Sequence, residues 1–131
     1  MKVLVLIVLV SLLAACTNRD WRTASREPAG LALDPVIETQ ASIEVYAADA
    51  FSWRGWFAVH TWLAVKQENE PEYTVYEVVG WRVNDGLPAL REYQTATPDR
   101  FWYGAKPEAV LSIQGDKAAE LIPKITAAVN R

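Results

Sequence analysis

Polar and apolar residues alternate from Ser42 to Ala47 (Ser-Ile-Glu-Val-Tyr-Ala), the period-two pattern of a strand with one buried face. From Trp56 to Lys66 the run Trp-Phe-Ala-Val-His-Thr-Trp-Leu-Ala-Val-Lys is apolar at both parities, which predicts a long strand covered on both sides. One face would carry Trp56, Ala58, His60, Trp62 and Ala64, and the other Phe57, Val59, Thr61, Leu63 and Val65. Gly55, just before it, is free to take a positive φ. The acidic, proline-containing stretch Gln67–Glu72 reads as a turn, and Tyr73–Arg82, rich in β-branched and aromatic residues, as a third strand completing a hairpin. Asn84-Asp85-Gly86 and Pro88 mark the next turn. Leu90–Thr97 then extends an antiparallel meander, and Ala109–Ile113 is a short strand or a helical turn. After Gly115, with Asp116 as N-cap, the residues Ala118, Leu121, Ile122, Ile125 and Val129 fall at helical spacing on one stripe, and Pro123 is expected to interrupt or kink that helix. The pattern predicts an α+β domain over residues 42–131: an antiparallel sheet of three to five strands with one C-terminal helix. Because the apolar stripe runs almost to Arg131 with no closing strand, the domain is expected to continue beyond this sequence.

The N-terminal part has a different pattern. Lys2 is followed by an apolar run from Val3 to Val10 and by Leu12-Leu13-Ala14-Ala15, the charged start, greasy middle and small-residue end of an export signal. It is shorter than the ~20 apolar residues that span a bilayer. Leu13-Ala14-Ala15-Cys16 resembles the bacterial lipobox, in which cleavage precedes a cysteine carrying a thioether-linked diacylglycerol. The resemblance implies a signal peptide over residues 1–15, Cys16 as an acylated N-terminus, and a membrane partner reached through that lipid. Two or three acyl chains give stable anchoring, since each buried methylene contributes ~0.8 kcal/mol. Thr17 rather than aspartate follows, which favours the outer over the inner membrane. Residues 16–41 interleave charges with Pro28, Gly30 and Pro35, the composition of a flexible tether, with Trp21 either at the lipid headgroups or packed on the domain.

Composition narrows the partners. The chain of 131 residues has 51% hydrophobic residues, 11% aromatics and a net charge of −3, the values of one globular domain. An acidic balance argues against nucleic acid, whose binding releases counterions to a basic face, and against electrostatic docking on anionic lipid. A lone cysteine excludes an intrachain disulfide.

His60, the single histidine, is a candidate general base. The alternative, a packed histidine satisfied by its neighbours, is favoured, because a lone histidine is poor evidence of a base without a partner. If Lys66 pairs with Tyr73 across the turn, Glu77 falls opposite Trp62 and diagonal to His60, about 7 Å away between backbones; a one-residue slip would send it to the other face. Ser42, Ser52 and Ser112 lie in no Gly-x-Ser-x-Gly setting, no ligand set for a metal is visible, and nothing indicates a cofactor. Thirteen of the fourteen aromatics fall between Tyr46 and Tyr103. Trp53, Trp56, Trp62, Trp81, Phe101, Trp102 and Tyr103 either line a glycan groove or pack as core, and core is favoured for those on strands. Trp102 and Tyr103, in the loop Pro98–Gly104, are the candidate ligand-binding pair. Arg54 and Arg82 read as solvated charges at strand ends, with Arg54 able to stack on a neighbouring tryptophan.

Four stretches carry a family resemblance: Trp53–Lys66, Tyr76–Trp81, Pro98–Gly104, and the helix from Gly115 through Leu121-Ile122. With them, residues 45–130 resemble the bacterial domain-of-unknown-function family 3750. The resemblance implies longer members, continuing into an asparagine- and serine-rich segment, and no established activity. A looser similarity links a strand histidine such as His60 to the circularly permuted papain-like hydrolases of the cell envelope, in which a cysteine follows the histidine; none follows here. The expected function is therefore binding or assembly in the cell envelope, with a periplasmic protein or a glycan as partner. The alternative is an inactive or truncated relative of those hydrolases.

Overall fold

The alternation at Ser42–Ala47 becomes strand β1 (Ser42–Asp49) of the computed structural model, which describes residues 20–130. After it come β2 (Val59–Lys66), β3 (Tyr73–Val78), β4 (Leu90–Thr95), β5 (Glu108–Gln114) and one helix, α1 (Asp116–Val129). The sheet has the order β4-β3-β2-β1-β5 and is antiparallel throughout. The expected α+β class, an antiparallel sheet of three to five strands with one C-terminal helix, is thus observed among the described residues, with five strands. The hairpin β2–β3 adopts the anticipated register, with Trp62 opposite Glu77 and Val65 opposite Thr74. The expected signal peptide and Cys16 lie outside the described residues, among which no helix is long and apolar enough to cross a membrane.

Several local expectations give way to turns. The strand expected from Trp56 starts only at Val59, because Ser52–Trp56 forms a short 3-10 turn. Arg54 O accepts the N–H groups of Phe57 and Ala58 there, and Ala50 N–H donates to Ala58 O. Gly55 is required by space rather than by a positive φ, since a Cβ at that position would lie 2.5 Å from Ala50 O. Nor is the start of β2 buried on both faces: Val59 is 61% exposed. Likewise β3 ends at Val78, and Gly80–Asp85, with Trp81 and Arg82, turns as 3-10 helix closed by Gly86 at φ 72. Helix α1 is capped by Gly115, not by Asp116. Gly115 has φ 69 and ψ −146, close to a region that essentially only glycine occupies. Pro123 does not interrupt α1. It lies on the exposed side, where the carbonyl left without a helical partner can be hydrated.

The two faces of the sheet are covered differently. Ala118 and Ile122 of α1 are buried against Ile43, Val65 and Tyr76, with Leu121, Ile125 and Val129 alongside, so the predicted stripe is the packed stripe. Each such branched side chain stabilises by roughly 1.5–3 kcal/mol. On the opposite face Tyr46, Ala48, Trp62, Ala64, Tyr73 and Val75 form a second cluster.

Tyr93, Trp102 and Ala105 pack against that second cluster, and beside them runs the stretch expected to be a flexible tether. Over Ser25–Gln40 it is instead docked along the domain. Phe101 N–H donates to Glu27 O, Ala29 N–H to Asp99 O and Gly104 N–H to Ser25 O. Tyr73 Oη donates to Leu33 O, and Lys66 Nζ donates to Gln40 O at 2.6 Å. The anchor is Asp99, 2% exposed, whose Oδ2 accepts Leu31 N–H at 2.6 Å and Ala32 N–H at 3.2 Å. A buried carboxylate is tolerated when backbone donors replace its water.

Replacing Asp99 by Ala is expected to cost about 2–3 kcal/mol in chemical denaturation, the range for hydrogen bonds to a buried charge, and to make Ser25–Gln40 the first site cut in limited proteolysis. A second expectation concerns Glu44, which is buried on β1 with Oε1 accepting from Ser112 Oγ at 2.9 Å. Burial pushes its carboxyl above the ordinary 4.5, partly countered by Ser112. The folded state therefore holds this proton more tightly than the unfolded chain. That contribution is complete below the unfolded value and is lost as pH rises through the folded one. Glu44→Gln, which keeps the acceptor, should raise the unfolding temperature at pH 7, with the gain shrinking to nothing as pH falls below 4.5.

Candidate functional site

The register aligns one row of side chains across four strands on the second face: Tyr46 opposite Trp62, Trp62 opposite Glu77, and Glu77 opposite Arg91. Side chains of directly paired residues on one face stand close enough to interact. Glu77 has only 4% of its side chain exposed and is satisfied from two sides. Its Oε1 accepts from Arg91 Nη1 at 3.0 Å, and Oε2 lies 3.2 Å from His60 Nε2. Against a carboxylate, Nε2 carries the proton and donates. Arg91 also lies 4.3 Å over the ring of Tyr93. Burial first, and then Glu77, raises the pKa of the Tyr93 phenol.

Above this row lies a stack of rings. The His60 imidazole is parallel to Trp102, with centroids 3.5 Å apart and planes 12° apart, and Trp62 follows at 5.7 Å. Trp62 stacks on Tyr46 at 5.6 Å and donates its indole N–H to Pro98 O at 2.8 Å, which ties the loop after β4 to the sheet. Trp81 reaches in from the turn after β3, 5.9 Å from Trp102 and 51% exposed.

The loop closes through Trp102-Tyr103-Gly104-Ala105, where Trp102 and Ala105 each donate a backbone N–H to the other's carbonyl. Tyr103 has φ 47 and Gly104 φ 89, so both central residues are left-handed, as a type I′ hairpin turn requires. Asn and Gly normally fill such positions; an ordinary side chain there costs roughly 1–2 kcal/mol. Tyr103 packs edge-on to Trp102 at 4.9 Å, and Arg26 lies 4.3 Å over its ring.

Between these groups is a cleft of about 360 Å³ lined by Trp81, Trp102, Tyr103 and the guanidinium-bearing residues Arg26, Arg82, Arg91 and Arg100. Of the site residues expected from sequence, the fold brings His60 and Glu77 together and sets Trp102 and Tyr103 over them. Trp53 and Trp56 stand apart, 64% and 80% exposed. Arg54 stacks on Trp53 at 5.2 Å. Arg82, read as a solvated strand-end charge, lines the cleft instead and donates from Nε to Pro88 O. Arg91 escaped the sequence reading, because its place opposite Glu77 is set by the separate β3–β4 register, which depends on the 3-10 turn Gly80–Asp85. Arg26 and Arg100 had no local signal, because a long-range bridge between Pro28 and Arg100 brings their segments together.

No hydroxyl or thiol is hydrogen-bonded to His60 among the described residues, where Glu77 is its partner. Nor do three or more metal-ligating side chains converge there among those residues.

A family profile described as "Protein of unknown function (DUF3750)" matches residues 40–131. The chain belongs to the DUF3750 family. No curated protein and no solved structure matches it. In this DUF3750 chain the family match includes His60, Glu77, Trp102 and Tyr103, whereas Arg26 precedes it.

His60→Ala is expected to lower stability by about 2–3 kcal/mol in urea unfolding, because it leaves a gap beneath Trp102 and strips one partner from a buried carboxylate.

Proposed function

We propose that this protein is a lipid-anchored protein of the cell envelope, held through acylated Cys16 on the periplasmic face of the outer membrane, whose folded domain binds a saccharide in the aromatic cleft. The observation that carries the binding role is Tyr103, a tyrosine at φ 47 where asparagine or glycine costs least, with its ring at the cleft. Local strain persists where the surroundings enforce it, and it gathers at ligand sites. Trp81, half exposed beside Trp102, offers an aromatic face to the apolar C–H side of a sugar ring. A cleft volume of about 360 Å³ falls within the range of small-ligand pockets. Cys16 in its lipobox-like setting supports the anchor.

A second reading takes His60 as general base and Glu77 as its orienting partner in a relative of the papain-like envelope hydrolases. The 3.2 Å contact between them favours it. The face of the imidazole covered by Trp102 and the sharing of Glu77 with Arg91 favour a structural pair instead. Hydrolysis of a peptidoglycan peptide that disappears in His60→Ala would decide for the enzyme.

Titration of the protein with chitotriose should shift the indole N–H resonances of Trp81 and Trp102, and Trp81→Ala should weaken binding about tenfold or more. An unchanged spectrum with chitotriose and with N-acetylmuramic acid, each at millimolar concentration, sinks the saccharide role. Radiolabelled palmitate should enter the protein and be lost in Cys16→Ser; labelling of the serine variant rules out the anchor.

A further inference from the structure

The chain has 16 acidic residues against 13 lysines and arginines, yet the cleft has the opposite balance. Four arginines line it together with one carboxylate, Glu77. That carboxylate is already bonded to His60 and Arg91. Arg26, Arg82 and Arg100 make no ion pair among the described residues.

Two of these three are held in place without their outer nitrogens being used. Arg82 donates from Nε to Pro88 O at 3.0 Å, and Arg100 donates from Nε to Thr97 Oγ1 at 3.1 Å. Arg26 is fixed by stacking on Tyr103. All the cations of the cleft are arginine and none is lysine. The planar guanidinium fork matches carboxylate and phosphate oxygens two at a time. Like charges gathered around a concave, ring-walled space focus an attractive field on an anion.

We infer that the ligand of this cleft is a saccharide whose ring carries an anionic oxygen group, a carboxylate or a phosphate. The rings of Trp81, Trp102 and Tyr103 take the apolar side of the sugar, and Arg26, Arg82 and Arg100 take the anionic oxygens. This assignment rests on the saccharide reading of the cleft and names the feature that selects among saccharides.

Three probes share one ring and differ in charge: N-acetylglucosamine, N-acetylmuramic acid, which adds a carboxylate, and N-acetylglucosamine 6-phosphate. Each is titrated into the full chain in detergent, with indole resonances and tryptophan emission as readouts. At low salt at least one anionic sugar is expected to bind about tenfold tighter than the neutral parent, consistent with charge-assisted bonds. Which of the two does so identifies the anionic group. The advantage should fall with added salt and vanish in the Arg82→Gln/Arg100→Gln double variant, while the affinity for N-acetylglucosamine stays the same. If the double variant does not fold, Arg26→Gln replaces it, since Arg26 makes no side-chain hydrogen bond among the described residues. Equal affinity for all three sugars overturns the inference and leaves the saccharide role standing. Failure of all three to bind overturns both.

Discussion

Glu77 sits on the third of five strands with 4% of its side chain exposed, and both of its oxygens must find donors to remain there. His60 supplies one and Arg91 the other. Removing a charge from water costs several kcal/mol unless its partners restore those bonds, so the carboxylate constrains three strands at once. β2 must offer His60, β4 must offer Arg91, and the register between them must not slip. The ring stack rests on the same arrangement, because His60 can hold Trp102 at 3.5 Å only while Glu77 fixes its imidazole from the edge. A pair that resembles a catalytic dyad in sequence thus serves first as a footing for the cleft.

A second buried carboxylate joins the parts that the sheet does not. Asp99 gathers the N–H groups of Leu31 and Ala32, fastening a stretch distant in sequence to the loop that carries Trp102 and Tyr103. Arg26 reaches the cleft by way of that contact, and Trp62 donates to the adjoining Pro98 carbonyl. The N-terminal stretch is therefore docked on the domain and contributes a cation to the cleft. Its composition, charges interrupted by Pro28, Gly30 and Pro35, resembles that of a linker because proline and glycine suit any irregular path, docked or free. What separates the two is a buried partner for the backbone, and composition does not encode one.

Two departures from ordinary sequence rules meet in the cleft. A left-handed tyrosine occupies a turn position suited to asparagine or glycine, and three of the four clustered arginines have no acidic partner among the described residues, in an acidic protein. Both are local costs, whereas Gly86 closing the turn after β3 and Gly115 opening α1 are conventional choices. Ser52, in the turn after β1, is left-handed as well at φ 65, so it is the coincidence of strain with the arginine cluster that distinguishes the cleft.

The sequence by itself determined the parts governed by short-range periodicity. The hairpin β2–β3, its register, the stripe of α1 and the α+β class follow from period-two and period-3.6 patterns and from one tight turn. That register was enough to set Glu77 beside His60, because a hairpin's pairing is fixed by its own loop. Tertiary structure decided whatever depended on contacts between distant segments. Trp56 and Trp81 left their expected strands because hydrogen bonds in 3-10 turns outweighed aromatic strand propensity, which is weak and set by context. Ser25–Gln40 is docked by hydrogen bonds because Asp99, some 70 residues away, offered a buried acceptor. The cationic character of the cleft emerged only when Arg26, Arg82, Arg91 and Arg100 converged from separate segments, since charge adds in space and not along the chain.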